Sequence, residues 1–161
     1  MTTSDTASTT LARFDHAWDA LDKTVKSLGP RELTEIRDPA GWSAKDHLMH
    51  LALWEQGLHA KVDGRPRHEA LGLDPSTEGS EDWDTLNAAI FANTRHRSIA
   101  DVLATLQNTH ATTRTRLVSI AAAGPAAETD ETAKALLTNL PTYIDHYDQH
   151  HGWIRDLIAT R

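Results

Sequence analysis

The chain has 161 residues, enough for one domain with its own core and too few to suggest two, and its formal charge of −7 is spread along its length. It contains no cysteine, which excludes disulfides, thiolate metal sites and a cysteine nucleophile, so a metal could be held only by nitrogen and oxygen. The basic residues gather into no stripe, which argues against nucleic acid as a partner, and no apolar run approaches the roughly 20 residues that span a bilayer.

The first ten residues are polar and lack the apolar segment of a signal peptide, so residues 1–8 are expected to be a flexible leader on a cytoplasmic protein. Leu11, Phe14, Trp18, Leu21, Val25 and Leu28 then recur at three- and four-residue steps, the mark of an amphipathic helix stopped at Gly29-Pro30. Ser43-Ala-Lys-Asp46 is a capping pattern that starts a second helix, expected to run to about Val62. Residues 64–82, with repeated Gly and Pro, predict a long surface connection. A short helix is expected over Trp83 to Asn93. Ser98-Ile-Ala-Asp101 caps a third long helix carrying Val102, Leu106, Leu117 and Ile120. After Gly124-Pro125 a last stripe runs from Leu136 to Ile158, which Pro141 either starts or kinks.

Strand signals are almost absent. The expected fold is therefore all-α, an antiparallel four-helix bundle over residues 1–161 with one additional short helix in the connection between its second and third long helices.

The chain has ten histidines, so position must decide which ones matter. Residues on a helix advance about 100° each, which offsets His146 and His150 by only about 40° on one face, one turn apart. His150 falls inside the apolar stripe, where a polar ring needs a partner. His50 lies on the flank of the second helix's stripe, within reach of the interior. Together the three rings could hold Zn²⁺, Ni²⁺ or Fe²⁺ and leave coordination positions open. The same wheel turns His47 outward, sets His59 opposite His50 and puts His151 about 140° from His146.

Other residue types admit two readings. Glu55, on the inner half of the second helix, could accept a proton from metal-bound water or could be a carboxylate paired with Lys or Arg. Tyr143 and Tyr147 could offer phenols to a substrate or be core residues with a wet tip. Trp42 and Trp54 could stack on a ligand or simply pack.

The run Gly41-Trp42-Ser43-Ala44-Lys45-Asp46-His47-Leu48-Met49-His50-Leu51-Ala52-Leu53-Trp54-Glu55 resembles the W-S-x-K-D-x-L-x-H-L-x-x-W-E signature of DinB-like four-helix bundles. Leu86 to Phe91 and His146-Tyr147-Asp148-Gln149-His150-His151-Gly152-Trp153-Ile154 are similar to the ClbS/DfsB branch of that superfamily. The resemblance implies that His50, His146 and His150 bind one divalent metal ion. Gln149 stands where Glu is frequent, and Pro141-Thr142 replaces an Asn-Thr stretch. Members of the superfamily include thiol S-transferases, a maleylpyruvate isomerase and a cyclopropane hydrolase that protects its producer, so the fold does not fix the reaction.

The expectation that follows is an enzyme of hydrolase or thiol-transferase type, with a low-molecular-weight thiol as one candidate co-reactant. In it the metal activates a nucleophile against an electrophilic small molecule, in natural-product resistance or biosynthesis. Its catalytic candidates are Glu55 and Tyr147. The rival expectation is a non-catalytic protein that sequesters a reactive metabolite in the same pocket. Superfamily members often pair through bundle faces, which makes a homodimer the expected assembly.

Overall fold

Thr2 and Asp5 form a reciprocal capping box that satisfies free N–H groups of a first turn, and helix α1 accordingly runs Thr3–Lys26. The expected leader is thus helical from its third residue. It is also tethered: Thr3 Oγ1 donates to Glu128 at 2.8 Å and Ser4 Oγ to the Gly124 carbonyl at 3.1 Å. The computed structural model describes residues 1–159.

After α1 come a short α2 (Pro30–Thr34), α3 (Ala44–Val62), a short α4 (Arg67–Leu71), α5 (Trp83–Thr94), α6 (Ile99–Ala122) and α7 (Glu131–Ala159). Ser43 and Asp46 form the capping box of α3, and Ser98 accepts from the Asp101 N–H at the start of α6. Asp130 accepts from the Ala133 N–H at 3.0 Å and begins α7. Pro141 lies inside that helix, not at its start, and removes the N–H that the Leu137 carbonyl would otherwise receive. No strand is present among the described residues, only an isolated bridge between Arg37 and Ser43. No described helix is long and apolar enough to cross a membrane.

The four long helices surround one core: α1 packs on α6 and α7, and α3 packs on the same two. Their directions follow from the side-chain bonds between them. Arg114 meets Asp15 while Ser4 meets Gly124, so α6 runs against α1. Thr24 meets His151 and Arg13 meets Asp145, so α7 runs with α1. Gln56–Thr109 and His59–Thr113 make α3 parallel to α6, whereas His50–His146 and Lys61–Asn139 make it antiparallel to α7. The arrangement is therefore two antiparallel and two parallel neighbour pairs, not the expected antiparallel bundle throughout. The cause is the connection over 63–98, which carries the chain back along α3, a helix of 19 residues or about 28 Å, before α6 starts. That connection holds α4 and a 3-10 turn at Pro75–Thr77 as well as α5.

α3 is the central element. Every residue from Ala44 to Glu55 is buried, because α6 and α7 cover two of its sides and α2, α4 and α5 cover the rest. Gly57 admits α4: a Cβ there would lie 3.3 Å from Leu71 Cδ2 and 3.4 Å from Arg67 Cγ. Lys45, 8 % exposed, donates to the carbonyls of Arg95 at 2.6 Å and Arg97 at 2.8 Å, placing a cation at the C-cap of α5 and the turn just beyond it.

Candidate metal centre and its clefts

The capping box of α3 fixes the rotation of the turn that follows it, and α7 crosses antiparallel at that turn. His50, His146 and His150 consequently meet, each offering a ring nitrogen within 4.8 Å of the others. His50 Nε2 and His146 Nε2 are 3.1 Å apart. Two imidazole nitrogens on one ion at about 2.1 Å stand roughly 3.0 Å apart at a right angle and roughly 3.4 Å apart in a tetrahedron, so this spacing suits a shared ion. His50 Nδ1 is buried without a hydrogen-bond partner, which leaves neither nitrogen of that ring committed outside the cluster.

Electrostatics favours the ligand form. Burial pushes His146 down to about 4, and burial with His146 and His47 alongside pushes His50 down to about 3. His150 is lowered as well, by burial and then by the three neighbouring imidazoles. Neutral rings keep the lone pairs that a metal needs. The donor set therefore fits a divalent ion, and these three histidines could hold one.

His47 belongs to this cluster, although the helical wheel turns it outward. It is 3 % exposed, its Nδ1 is 2.9 Å from His150 Nδ1, and its Nε2 is 3.3 Å from Asp38 Oδ2 without the alignment of a hydrogen bond. The wheel fails because α3 has no solvent face at this level: the loop over 35–43 closes over it. That loop is a tight turn in which Trp42 N–H donates to Asp38 Oδ1 and Gly41, at φ +87°, reverses the chain. It sets Trp42 against both rings, 5.3 Å from His47 and 5.1 Å from His50. His47 stands three residues before His50, a spacing that marks a same-face neighbour and was the available signal.

The other two histidines set aside from the site are outside it. His151 Nε2 faces Thr24 Oγ1 at 2.8 Å, and His59 Nε2 faces Thr113 Oγ1 at 2.6 Å.

Glu55 and Tyr147, the catalytic candidates, bond to each other and not to the cluster. Tyr147 donates to Glu55 Oε2 at 2.5 Å, and Thr113 donates to Glu55 Oε1. Arg116 donates to His59 Nδ1, which leaves His59 Nε2–H to donate to Thr113. The carboxyl thus ends a hydrogen-bond chain and carries no direct Lys or Arg partner. Complete burial raises it to about 7 against the opposing pull of the two hydroxyls. Neither residue lines the clefts that reach the histidines.

Two clefts open on the cluster. The larger, about 1080 Å³, lies over Trp42, His47, His50 and His150 and has Asp38, Asp84 and Asp156 on its walls. The smaller, about 550 Å³, is bounded by Trp54, Arg67, Trp83 and Tyr143. His50, Asn87, His146 and Gln149 line both. Trp54 Nε1 donates to Asn87 at 3.0 Å, which ties the partition between the clefts to α5.

Neither a curated protein nor a solved structure matches this chain. The model of the DinB superfamily matches residues 13–154, a span that takes in all three converging histidines, the whole of α3 and α7 as far as Ile154. The chain belongs to the DinB superfamily.

Proposed function

We propose that this protein binds one divalent ion, Zn²⁺, Ni²⁺ or Fe²⁺, through His50, His146 and His150 and uses it on an electrophilic small molecule, as a hydrolase or a thiol transferase. The observation that carries the reading is the convergence of three neutral imidazoles at the junction of two clefts. When bound, such an ion supplies Lewis acidity and lowers the pKa of a coordinated nucleophile. The chain's own residues do the rest. Trp42 closes one side of the cluster, and Asn87 and Gln149 offer amide groups where the clefts meet. His47, with Asp38 beyond it, stands behind His150 as a proton-accepting and ring-orienting group.

A second reading, sequestration of a reactive metabolite without turnover, has its own support: Glu55 and Tyr147 line neither cleft and bond to each other, so the acid–base pair expected for catalysis is not on the cleft walls. One measurement separates the two. Zinc-loaded protein is mixed with excess electrophile, with and without a low-molecular-weight thiol, and product is counted per chain. Many equivalents support the enzyme, and a stop at one equivalent supports sequestration. Metal analysis of protein purified without a histidine tag tests the shared premise, which fails if the protein is metal-free after incubation with each of the three ions.

A further inference from the structure

The smaller cleft differs from the larger in charge. The larger has three carboxylates and one cation, Arg37, which is spent on Asp46 at 3.3 Å and the Gly41 carbonyl at 2.7 Å. The smaller has two cations, Lys61 and Arg67, and one carboxylate, Asp145, which is held by Arg13 at 3.2 Å. In a chain of net charge −7, the side-chain partners of Arg67 and Lys61 are neutral, the Ser80 carbonyl at 2.8 Å and Asn139 at 3.3 Å, while the Glu78 carboxylate accepts from the Arg67 backbone N–H.

Arg67 is also held in place by rings. Its guanidinium carbon lies 5.7 Å from the Trp54 ring and 5.3 Å from the Trp83 ring, and those two indoles meet edge to face at 5.6 Å. These cation–π contacts hold a guanidinium that has five N–H donors, of which one is used on the Ser80 carbonyl. Gly57 eases the placement, since a Cβ there would press on the Arg67 and Leu71 side chains and require them to give by a few tenths of an ångström. Trp83 is 49 % exposed, a large apolar surface beside an oriented cation at the mouth of a cavity. An ordered guanidinium with free in-plane donors matches a carboxylate, and the indoles and Tyr143 match a flat or compact apolar body.

We propose that the cleft bounded by Trp54, Arg67, Trp83 and Tyr143 binds the carboxylate-bearing apolar end of the substrate, whose other end reaches His50 and His146. The part concerning the far end rests on the metal-centre reading above. The part concerning the carboxylate stands on Arg67 alone.

The probes are 2-naphthoate and its neutral isostere 2-naphthamide, titrated calorimetrically into the chelator-treated, metal-free protein and into the zinc-loaded protein. Naphthoate should bind the metal-free protein at least tenfold more tightly than naphthamide, because a charge-assisted bond to an ordered guanidinium is lost in the amide. Arg67→Gln should abolish that preference. Lys61→Gln, at an exposed position where folding is not at issue, should reduce it by a smaller factor. Equal binding of the two probes, no binding of either, or a preference that survives Arg67→Gln in a protein of unchanged helicity overturns the assignment. Naphthoate binding that appears only with zinc also overturns it, since the carboxylate is then a metal ligand, while leaving the metal centre intact. A protein that takes up none of the three ions yet keeps the Arg67-dependent preference ends the metal reading and upholds the anion cleft.

Discussion

His47 Nδ1 and His150 Nδ1 lie 2.9 Å apart, and a single proton can occupy the space between them. If His150 presents Nε2 to an ion, its Nδ1 carries that proton and donates it to His47, whose own Nε2–H then lies 3.3 Å from Asp38 Oδ2 without being aimed at it. His47 on this account holds the ring of a ligand without being one. His47→Ala should keep zinc stoichiometric at saturation but weaken it by roughly 10–100-fold, the usual cost of losing such a partner. His47→Gln, which retains an acceptor, should recover part of that loss. A competition titration against a chromophoric chelator reads both, and unchanged affinity in His47→Ala would remove the role.

The ligands themselves should behave differently. His50→Ala, His146→Ala or His150→Ala each removes one of three converging nitrogens, and each should remove most of the bound metal. His59→Ala and His151→Ala should retain it, because those rings face Thr113 and Thr24. Stoichiometric metal in the His146→Ala, His150→Ala double variant, measured by elemental analysis, would refute the site.

Glu55 makes stability depend on pH with a definite sign. Its folded value of about 7 lies above the ordinary 4.5, so between these limits the folded chain holds a proton that the unfolded chain has released. The stabilisation is complete below about 4.5 and is lost as the pH rises through about 7, to a total of about 3 kcal/mol. Glu55→Gln keeps the shape and cannot ionise. Relative to the parent chain it should gain stability between pH 5 and pH 8, as read by urea denaturation at each pH. A constant difference across that range would mean that Glu55 does not titrate there.

Buried histidines pull the other way. His59 and His110 are each lowered to about 4 by burial, so their contribution is present above the ordinary 6.5 and is lost as the pH falls toward 4. His110 is packed face to face with Trp18 at 3.8 Å and Phe14 at 4.7 Å, where a charged ring would be poorly solvated. The metal-free protein should therefore lose stability on acidification from pH 6.5 to pH 4, and His110→Phe should flatten part of that loss. An acid limb of the same depth in the variant would exclude His110 from it.

Lys45 offers a test of the fold around the site. Its buried ammonium closes the end of α5, and Lys45→Met leaves two carbonyls without their donor while preserving the stem. A loss of about 2–4 kcal/mol is expected, with Trp42 fluorescence altered because Phe91, near that end of α5, stacks on its ring at 5.3 Å. A loss under about 0.5 kcal/mol would show that the bonds to Arg95 and Arg97 contribute little.

Much of this was written in the sequence. Periodicity and the Ser43 and Ser98 caps placed α3 and α6 to within a residue or two, since caps and apolar stripes are local signals. The convergence of His50, His146 and His150 was legible because helix geometry put one pair on a shared face and the third beside a stripe, and the resemblance to DinB-like bundles singled out these three. His47 carried a signal in its three-residue spacing from His50, but its burial did not show, because the turn over 35–43 covers it. Asp38 and Arg67 gave none, since that turn and the start of α4 lie beyond what the period of a long helix constrains. The parallel run of α3 and α6 was hidden for a related reason: a long connection permits either direction, and only packing chooses.

The two halves of the candidate metal centre stand 96 positions apart in the chain, His50 on one side and His146 on the other. No local segment of an unfolded polypeptide can imitate that pairing, because bringing such distant residues together requires closing a very long loop. An ion that needs both would therefore distinguish finished molecules from unfinished ones, and would arrive after α7 has docked, not before. Its occupancy would act as a ratchet on the docking of α7, holding closed a helix pair whose facing histidines lie about three-fifths of the sequence apart.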